Sequence, residues 1–419
     1  MWQLLRNILL LLVLFIVVQV WLYQGRTEIA NMRPKSLQEV DEVKIAILWP
    51  FSVAEIPPTY IREGVELAVE EINQSGGLRG KPVRVVYFDN QGDAERNAEL
   101  SRQISGDMSF NALIGSYFSG LALDTLVATQ AKSLFYVIIG AEAPNLASYS
   151  FRNMVRPHFT TSDYIEALAN LLICRQHKKL AIIQDQSDYA AVSSAELTKI
   201  FKDLGGESTT ERIVPTWVND FREVLIEKPI EQADVLYLTV SYEQMPYLLK
   251  QIKEFGIEAE LYGSPGLLHN NTPEILGPVS EDLHLLTPYK EMAVWAINES
   301  PSPDETEERS LVKAESGTLA EAFYKKFLDK YGKGPDVWAR EIFDGILLYA
   351  EAVKQTGTLE STALFANIRF HEGWNLTKGK VQFSTDGDLI NDRFFLIQVR
   401  NGAFIMPNGE RPVETCQKP

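Results

Sequence analysis

The stretch INQSGGLRGKPVRVVYFDNQGD, Ile72 to Asp93, holds four glycines and three basic residues, and it admits two readings. It is either a loop that cradles a phosphate or a turn between a helix and a strand. A phosphate loop follows a strand and opens a helix, because the helix N-terminus supplies the amides and the dipole that hold the anion. Here the order is reversed. Upstream, Ile61, Val65, Ala68 and Ile72 recur at helical spacing; downstream, Val83-Arg84-Val85-Val86-Tyr87-Phe88 reads as a strand. Gly76 and Gly77 therefore suit a left-handed helix cap, and Pro82 stands where a phosphate loop needs Ser or Thr. The turn reading accounts for every residue.

The same order of helix, glycine turn and strand returns at Leu204-Gly205-Gly206-Glu207 and at Phe255-Gly256-Ile257. Apolar runs predict strands over 43–49, 83–88, 110–115, 134–139, 179–184, 234–240 and 283–287. Helical patterns cover 60–74, 94–105, 163–175, 190–204, 243–255, 316–331 and 338–356. Continuous apolar strands alternating with helices imply an α/β protein whose parallel sheets are covered on both faces. A chain of 419 residues exceeds one comfortable core, so two such domains are expected.

Composition excludes several function classes. With 56 acidic against 40 basic residues the net charge is -16, which disfavours nucleic acid, whose phosphates demand a basic face. Cys174 and Cys416 are the two cysteines; Cys174 reads as a core residue in ALANLLIC, and neither a disulfide nor a catalytic thiol is expected. The five histidines (His158, His177, His269, His284 and His371) form no close ligand pair and read as surface or satisfied side chains. No nucleophile elbow or dinucleotide fingerprint is present, so neither an enzyme nor a cofactor or metal is expected.

The N-terminus differs in kind. LLRNILLLLVLFIVVQVWLY, Leu4 to Tyr23, carries Arg6 as its single charge and ends in two aromatics, which suits a transmembrane helix. We expect residues 1–23 to be an uncleaved anchor with 24–42 as a polar tether, the body lying outside the cytoplasm. A cleaved signal peptide is the alternative. Binding in such folds falls in the crevice beyond the C-terminal ends of the strands. The loops there begin at Pro50, Gly115, Gly140, Asp185 and Val240, and they carry Tyr117, Phe118, Ser119, Tyr189, Ser241 and Tyr242.

In their order along the chain, GVELAVEEINQSGGLRGKPVRVVYFDNQGD, ALIGSYFSG, LTKIFKDLGGE, VPTWVNDF and FSTDGDLINDRFFLIQVRNGAFI carry a resemblance. From about Val43 to Ile405 the sequence resembles type I periplasmic solute-binding proteins, specifically the branched-chain amino-acid (leucine-binding) receptors of ABC transporters. The resemblance implies two Rossmann-like lobes joined by three crossings that close on a small molecule like a hinge, with an ABC transporter permease as partner. Crossings near 157, 288 and 379 give lobe 1 as 43–157 and 288–378, lobe 2 as 158–287 and 379–408, and a tail of 409–419. The acidic ESPSPDETEERS, 299–310, reads as an exposed insertion. A membrane-tethered sensory ectodomain acting through a partner is the second functional reading.

The resemblance also implies a ligand site. Receptors of this family hold a ligand carboxylate with a Ser after the third strand, matched by Ser119, and with a Thr and backbone amides after the fourth. In VIIGAEAPNL that second loop presents Gly140, Ala141 and, at the threonine position, Glu142, an acid that repels a carboxylate. The acid that would hold a ligand ammonium falls in YGSPG, which has none. Tyr189 matches an aromatic wall, and Asp336 of GPDVW stands where an apolar side chain usually lines the pocket. Each of the two acids has a plain alternative role, capping the segment that follows. The expected ligand is an amino acid, or a cationic or amide-like compound.

Overall fold

The computed structural model describes residues 33–53, 59–149, 151–269, 272–289, 318–390, 393–407 and 411–413. The expected anchor, residues 1–23, and the acidic insertion at 299–310 lie outside them. Among the described residues no helix is long and apolar enough to cross a membrane.

The opening stretch is a turn. The helix Ile61–Gln74 ends at Ser75, and Gly76 and Gly77 follow with φ of 93° and 72°. A Cβ at Gly77 would lie 2.3 Å from the Lys81 carbonyl oxygen, so this turn requires glycine. Asn73 fastens the helix to the next strand by donating to the Val83 carbonyl (2.9 Å) and accepting from its amide (2.8 Å).

Strands β1 (Val43–Trp49), β2 (Val83–Asp89), β3 (Ala112–Gly115), β4 (Phe135–Ile138) and β5 (Met154–Val155) form a parallel sheet in the order β2-β1-β3-β4-β5. Alternate residues of β1 enter separate cores. Ile45, Ile47 and Trp49 face the helices Ile61–Gln74 and Val337–Thr356, while Ala46 and Leu48 join Leu100, Ile104, Ala122 and Leu126. Both faces of the sheet are thus dry, as the unbroken apolar strands require. The helices Ile61–Gln74 and Val337–Thr356 pack so closely at Gly64 that a Cβ there would lie 2.3 Å from the Ala339 oxygen.

The second sheet contains β6 (Lys179–Gln184), β7 (Ser208–Ile213), β8 (Val235–Thr239), β9 (Glu260–Gly263), β10 (Leu283–Thr287), and, after a third small sheet, β14 (Phe395–Arg400) and β15 (Ala403–Ile405). Its order is β15-β14-β10-β9-β8-β6-β7, parallel except for β14 against β10 and β15 against β14. The small antiparallel sheet comprises β11 (Trp374–Leu376), β12 (Gly379–Phe383) and β13 (Leu389–Ile390).

Three expectations need correction. The third crossing does not fall at 379. β12 pairs with β11, Asp388 bridges Arg156 beside β5, and the chain reaches the second sheet only at Phe395. Residues 33–42 are not a free tether. Arg33 is buried and donates to the carbonyls of Ser105 (2.6 Å), Lys132 (3.2 Å) and Phe110, Leu37 is buried, and Ser36 bridges Thr358. Cys174 is not a free thiol but disulfide-bonded, whereas Cys416 lies outside the described residues.

Candidate functional site

The loops after β3 and β4 are built first by backbone constraints. Gly115 has φ of 153° because a Cβ would lie 2.0 Å from the Leu48 oxygen. At Gly140 a Cβ would come within 3.0 Å of the Ser116 oxygen and 3.2 Å of the Trp338 ring. Arg156, fully buried, donates from Nη1 to the carbonyls of Ala141 (2.9 Å) and Ala143 (2.8 Å) and from Nε to Asp388 (2.9 Å). The Ser119 hydroxyl accepts from the Ala143 amide at 3.1 Å, tying the two loops together. Together these contacts fix the position of Glu142.

Glu142 is buried. Its Oε1 lies 3.3 Å from His158 Nε2, and its Oε2 has no hydrogen-bond partner among the described residues. The other nitrogen of His158 lies 3.1 Å from Glu341, which in turn accepts from Lys378 Nζ at 3.0 and 3.1 Å. Lys378 also donates to the Pro157 carbonyl at the first crossing. Two acids and two bases therefore alternate from the loop after β4 into the hinge. Burial alone would lower the His158 pKa, but Glu341 and Glu142 outweigh it and hold it above its ordinary value. Burial likewise opposes ionisation of Glu341, yet Lys378 and His158 keep it below the usual carboxylate range.

A wall of rings adjoins this chain. Tyr117 and Trp338 stand 5.0 Å apart, Trp49 contacts both, and Phe118 lies 5.0 Å from Tyr117. From the second sheet, His269 lies 6.1 Å from Trp338 and packs edge-on to Tyr242. Tyr189 and Tyr237 complete that side. Burial raises the hydroxyl pKa of Tyr117, Tyr189 and Tyr237, and the charge of Glu142 adds to each. Burial holds His269 at about 4, so its ring is neutral.

The unpartnered buried atoms are the informative feature. Among the described residues, Glu142 Oε2, both ring nitrogens of His269 and the Trp338 indole nitrogen lack hydrogen bonds, whereas the Tyr189 and Tyr237 hydroxyls face each other. Each such group costs about 1–3 kcal/mol when left unsatisfied, and natural interiors seldom tolerate several together. They come from both lobes and meet where the loops beyond the two sheets face each other.

The structure thus brings together Tyr117, Gly140, Ala141, Glu142, Tyr189 and Tyr242, with Phe118 and Ser119 alongside. Asp336 is different. Its two oxygens accept from the Ala339 amide (2.7 Å) and the Tyr60 amide (2.8 Å), so it caps the helix Val337–Thr356 and staples the segment after β1. Ser241 closes a turn by accepting from the Gln244 amide at 3.3 Å. His158, His269, Glu341 and Lys378 went unrecognised in the sequence because no local spacing joins them. The histidines at 158, 269 and 284 are all buried, not on the surface.

The His158 chain carries a pH signature. A histidine whose folded pKa is raised contributes stability that is complete below the unfolded value, near 6.5, and is lost as pH rises through the folded value. Thermal melts from pH 6 upward should therefore fall more steeply for wild type than for His158→Gln. Parallel curves would mean that His158 takes up no extra proton on folding.

Two lobes with parallel sheets, a hinge between them and unsatisfied groups at their facing ends define a binding protein of the two-lobed periplasmic type. The periplasmic binding protein family model matches residues 42–403, and the chain belongs to that family. Its function is solute binding, not catalysis. It is 20% identical over 344 residues to the Leu/Ile/Val-binding protein homolog 2 of Brucella abortus (strain 2308), covering 82% of this chain and 86% of that one. A leucine binding protein of Thermotoga maritima superposes with a TM-score of 0.73 at 20% identity, covering 88% of this chain and 98% of that chain. A solute binding protein of an ABC transporter from R. palustris, in complex with benzoate, gives a TM-score of 0.71 at 19% identity, covering 90% and 98%.

Proposed function

We propose that this chain captures a small molecule between its lobes, with Tyr117, Ser119, Gly140, Ala141 and Glu142 on one side and Tyr189 and Tyr242 on the other, and delivers it to an ABC importer. The observation that carries the reading is the convergence of unpartnered Glu142, His269 and Trp338 atoms from both lobes. The family match and the relatives named for amino-acid binding support the importer role. A ligand that joins both lobes favours the closed form and stabilises it by mass action. Native mass spectrometry identifies a carried ligand. Saturating the stripped protein with it should then raise the melting temperature and shrink the radius of gyration. Unchanged scattering at verified saturation would remove the hinge mechanism.

The body is placed outside the cytoplasm, with Leu4–Tyr23 as its membrane anchor. The disulfide at Cys174 supports an oxidising compartment. Arg33 and Leu37 are buried on lobe 1, so the chain from Arg33 onward belongs to the folded body. Intact protein should fractionate with membranes at full mass. A mature start between residues 24 and 32 would refute the anchor in favour of a cleaved signal.

A further inference from the structure

This inference rests on the cleft reading and concerns what the cleft selects. We infer that the ligand turns a nitrogen donor, an ammonium or a primary amide, toward Glu142, and lays a flat apolar body along Tyr117 and Trp338. A branched-chain receptor would be met at this loop by a carboxylate.

The first argument is valence. An ionised carboxylate oxygen only accepts hydrogen bonds, so the buried Oε2 of Glu142 calls for an N–H or O–H donor. A ligand carboxylate brings none. The second argument is charge. A ligand anion needs a cation or free hydrogen-bond donors, and the neighbouring cations are engaged. Arg156 is held by the Ala141 and Ala143 carbonyls and Asp388, Lys378 by Glu341 and the Pro157 carbonyl, and His158 stands between two acids. The Ala143 amide, a donor that this loop could otherwise offer a carboxylate, is already given to the Ser119 hydroxyl.

The third argument is shape. The rings of Tyr117 and Trp338, 5.0 Å apart, form an apolar wall beside Glu142, and His269 and Tyr242 face it from the other lobe. Such a wall suits a planar or hydrocarbon body, and ring faces attract a cation as well. An ammonium and a primary amide share the donor chemistry that Oε2 requires. They differ in charge, and experiment can separate them.

The test uses three compounds with one ring and three head groups: benzylamine, benzamide and benzoate. Each is titrated calorimetrically into the full chain and into Glu142→Gln, with isopentylamine and isovalerate as an aliphatic pair. The nitrogen heads should bind at least about tenfold tighter than the matching acids, and Glu142→Gln should weaken the preferred head by about ten- to a hundredfold. A larger loss for benzylamine than for benzamide in Glu142→Gln assigns the ammonium; a larger loss for benzamide assigns the neutral amide. Glu142→Asp, which keeps the charge but withdraws it by one methylene, controls for folding and should bind between the two. Benzoate or isovalerate binding as tightly as its nitrogen counterpart, or affinities unaltered in Glu142→Gln, overturns the inference and leaves solute binding intact. If no compound binds and none is carried through native purification, both readings fall.

Discussion

Replacing Lys378 by Met should lower the unfolding free energy by about 3–5 kcal/mol, the usual cost of leaving one partner of a buried ion pair without its counter-charge. Lys378 and Glu341 are both almost wholly inaccessible, with side-chain exposures of 3% and 0%, so solvent does little to screen the loss. The substitution leaves Glu341 with His158 as its facing charge and frees the Pro157 carbonyl at the first crossing. Glu341→Gln in the Lys378→Met background should recover much of the loss, because a neutral amide needs no counter-ion. A denaturant series on the two single variants and the double variant measures the coupling directly. A loss under about 1 kcal/mol for Lys378→Met would show that the pair behaves as a surface bridge. The buried chain of charges would then have no part in holding the hinge.

Trp338→Ala should cost about as much, roughly 3–5 kcal/mol, by removing a large buried ring and leaving a cavity. Trp338 contacts Trp49, Tyr117 and His158 on the first side and His269 on the second, so the cavity opens where the lobes meet. Trp338→Phe separates packing from hydrogen bonding. It retains most of the ring contact and deletes an indole N–H that has no partner among the described residues. Its stability loss should stay well below that of the alanine variant. If the indole donates to the ligand, affinity should fall while the ligand-free melting temperature moves little. Equal losses for Phe and Ala would mean that the site cannot accept a smaller ring, and equal ligand affinity in Trp338→Phe and wild type would remove the indole from the binding site.

How much of this was legible beforehand follows from physical range. The helix Ser119–Ala131 went unpredicted because SGLALDTLVATQA is apolar around most of its circumference and shows no stripe. Its threonines satisfy themselves locally: Thr125 and Thr129 donate back to the carbonyls of Leu121 and Thr125, four residues earlier. Strand β7, STTERI, was missed because it pairs on one side only, and an edge strand can be polar. The strands after 374 are short, and three of them build a separate sheet, which moved the third crossing to the approach to Phe395.

What the sequence by itself determined was of short range. The glycine turn at Gly76-Gly77 set the order of helix and strand, and unbroken apolar strands required sheets covered on both faces. Tertiary structure alone decided the chemistry of the cleft. Glu142 and Asp336 are both acids at loop positions, and nothing in their neighbours in sequence tells them apart. Asp336 finds two backbone amides, one of them on Tyr60, and is satisfied. Glu142 meets His158 through one oxygen and leaves the other without a partner among the described residues, within a chain that runs on to Glu341 and Lys378. A carboxylate's role depends on which donors lie within about 3 Å, and here those donors come from segments up to hundreds of residues away, which only folding brings together.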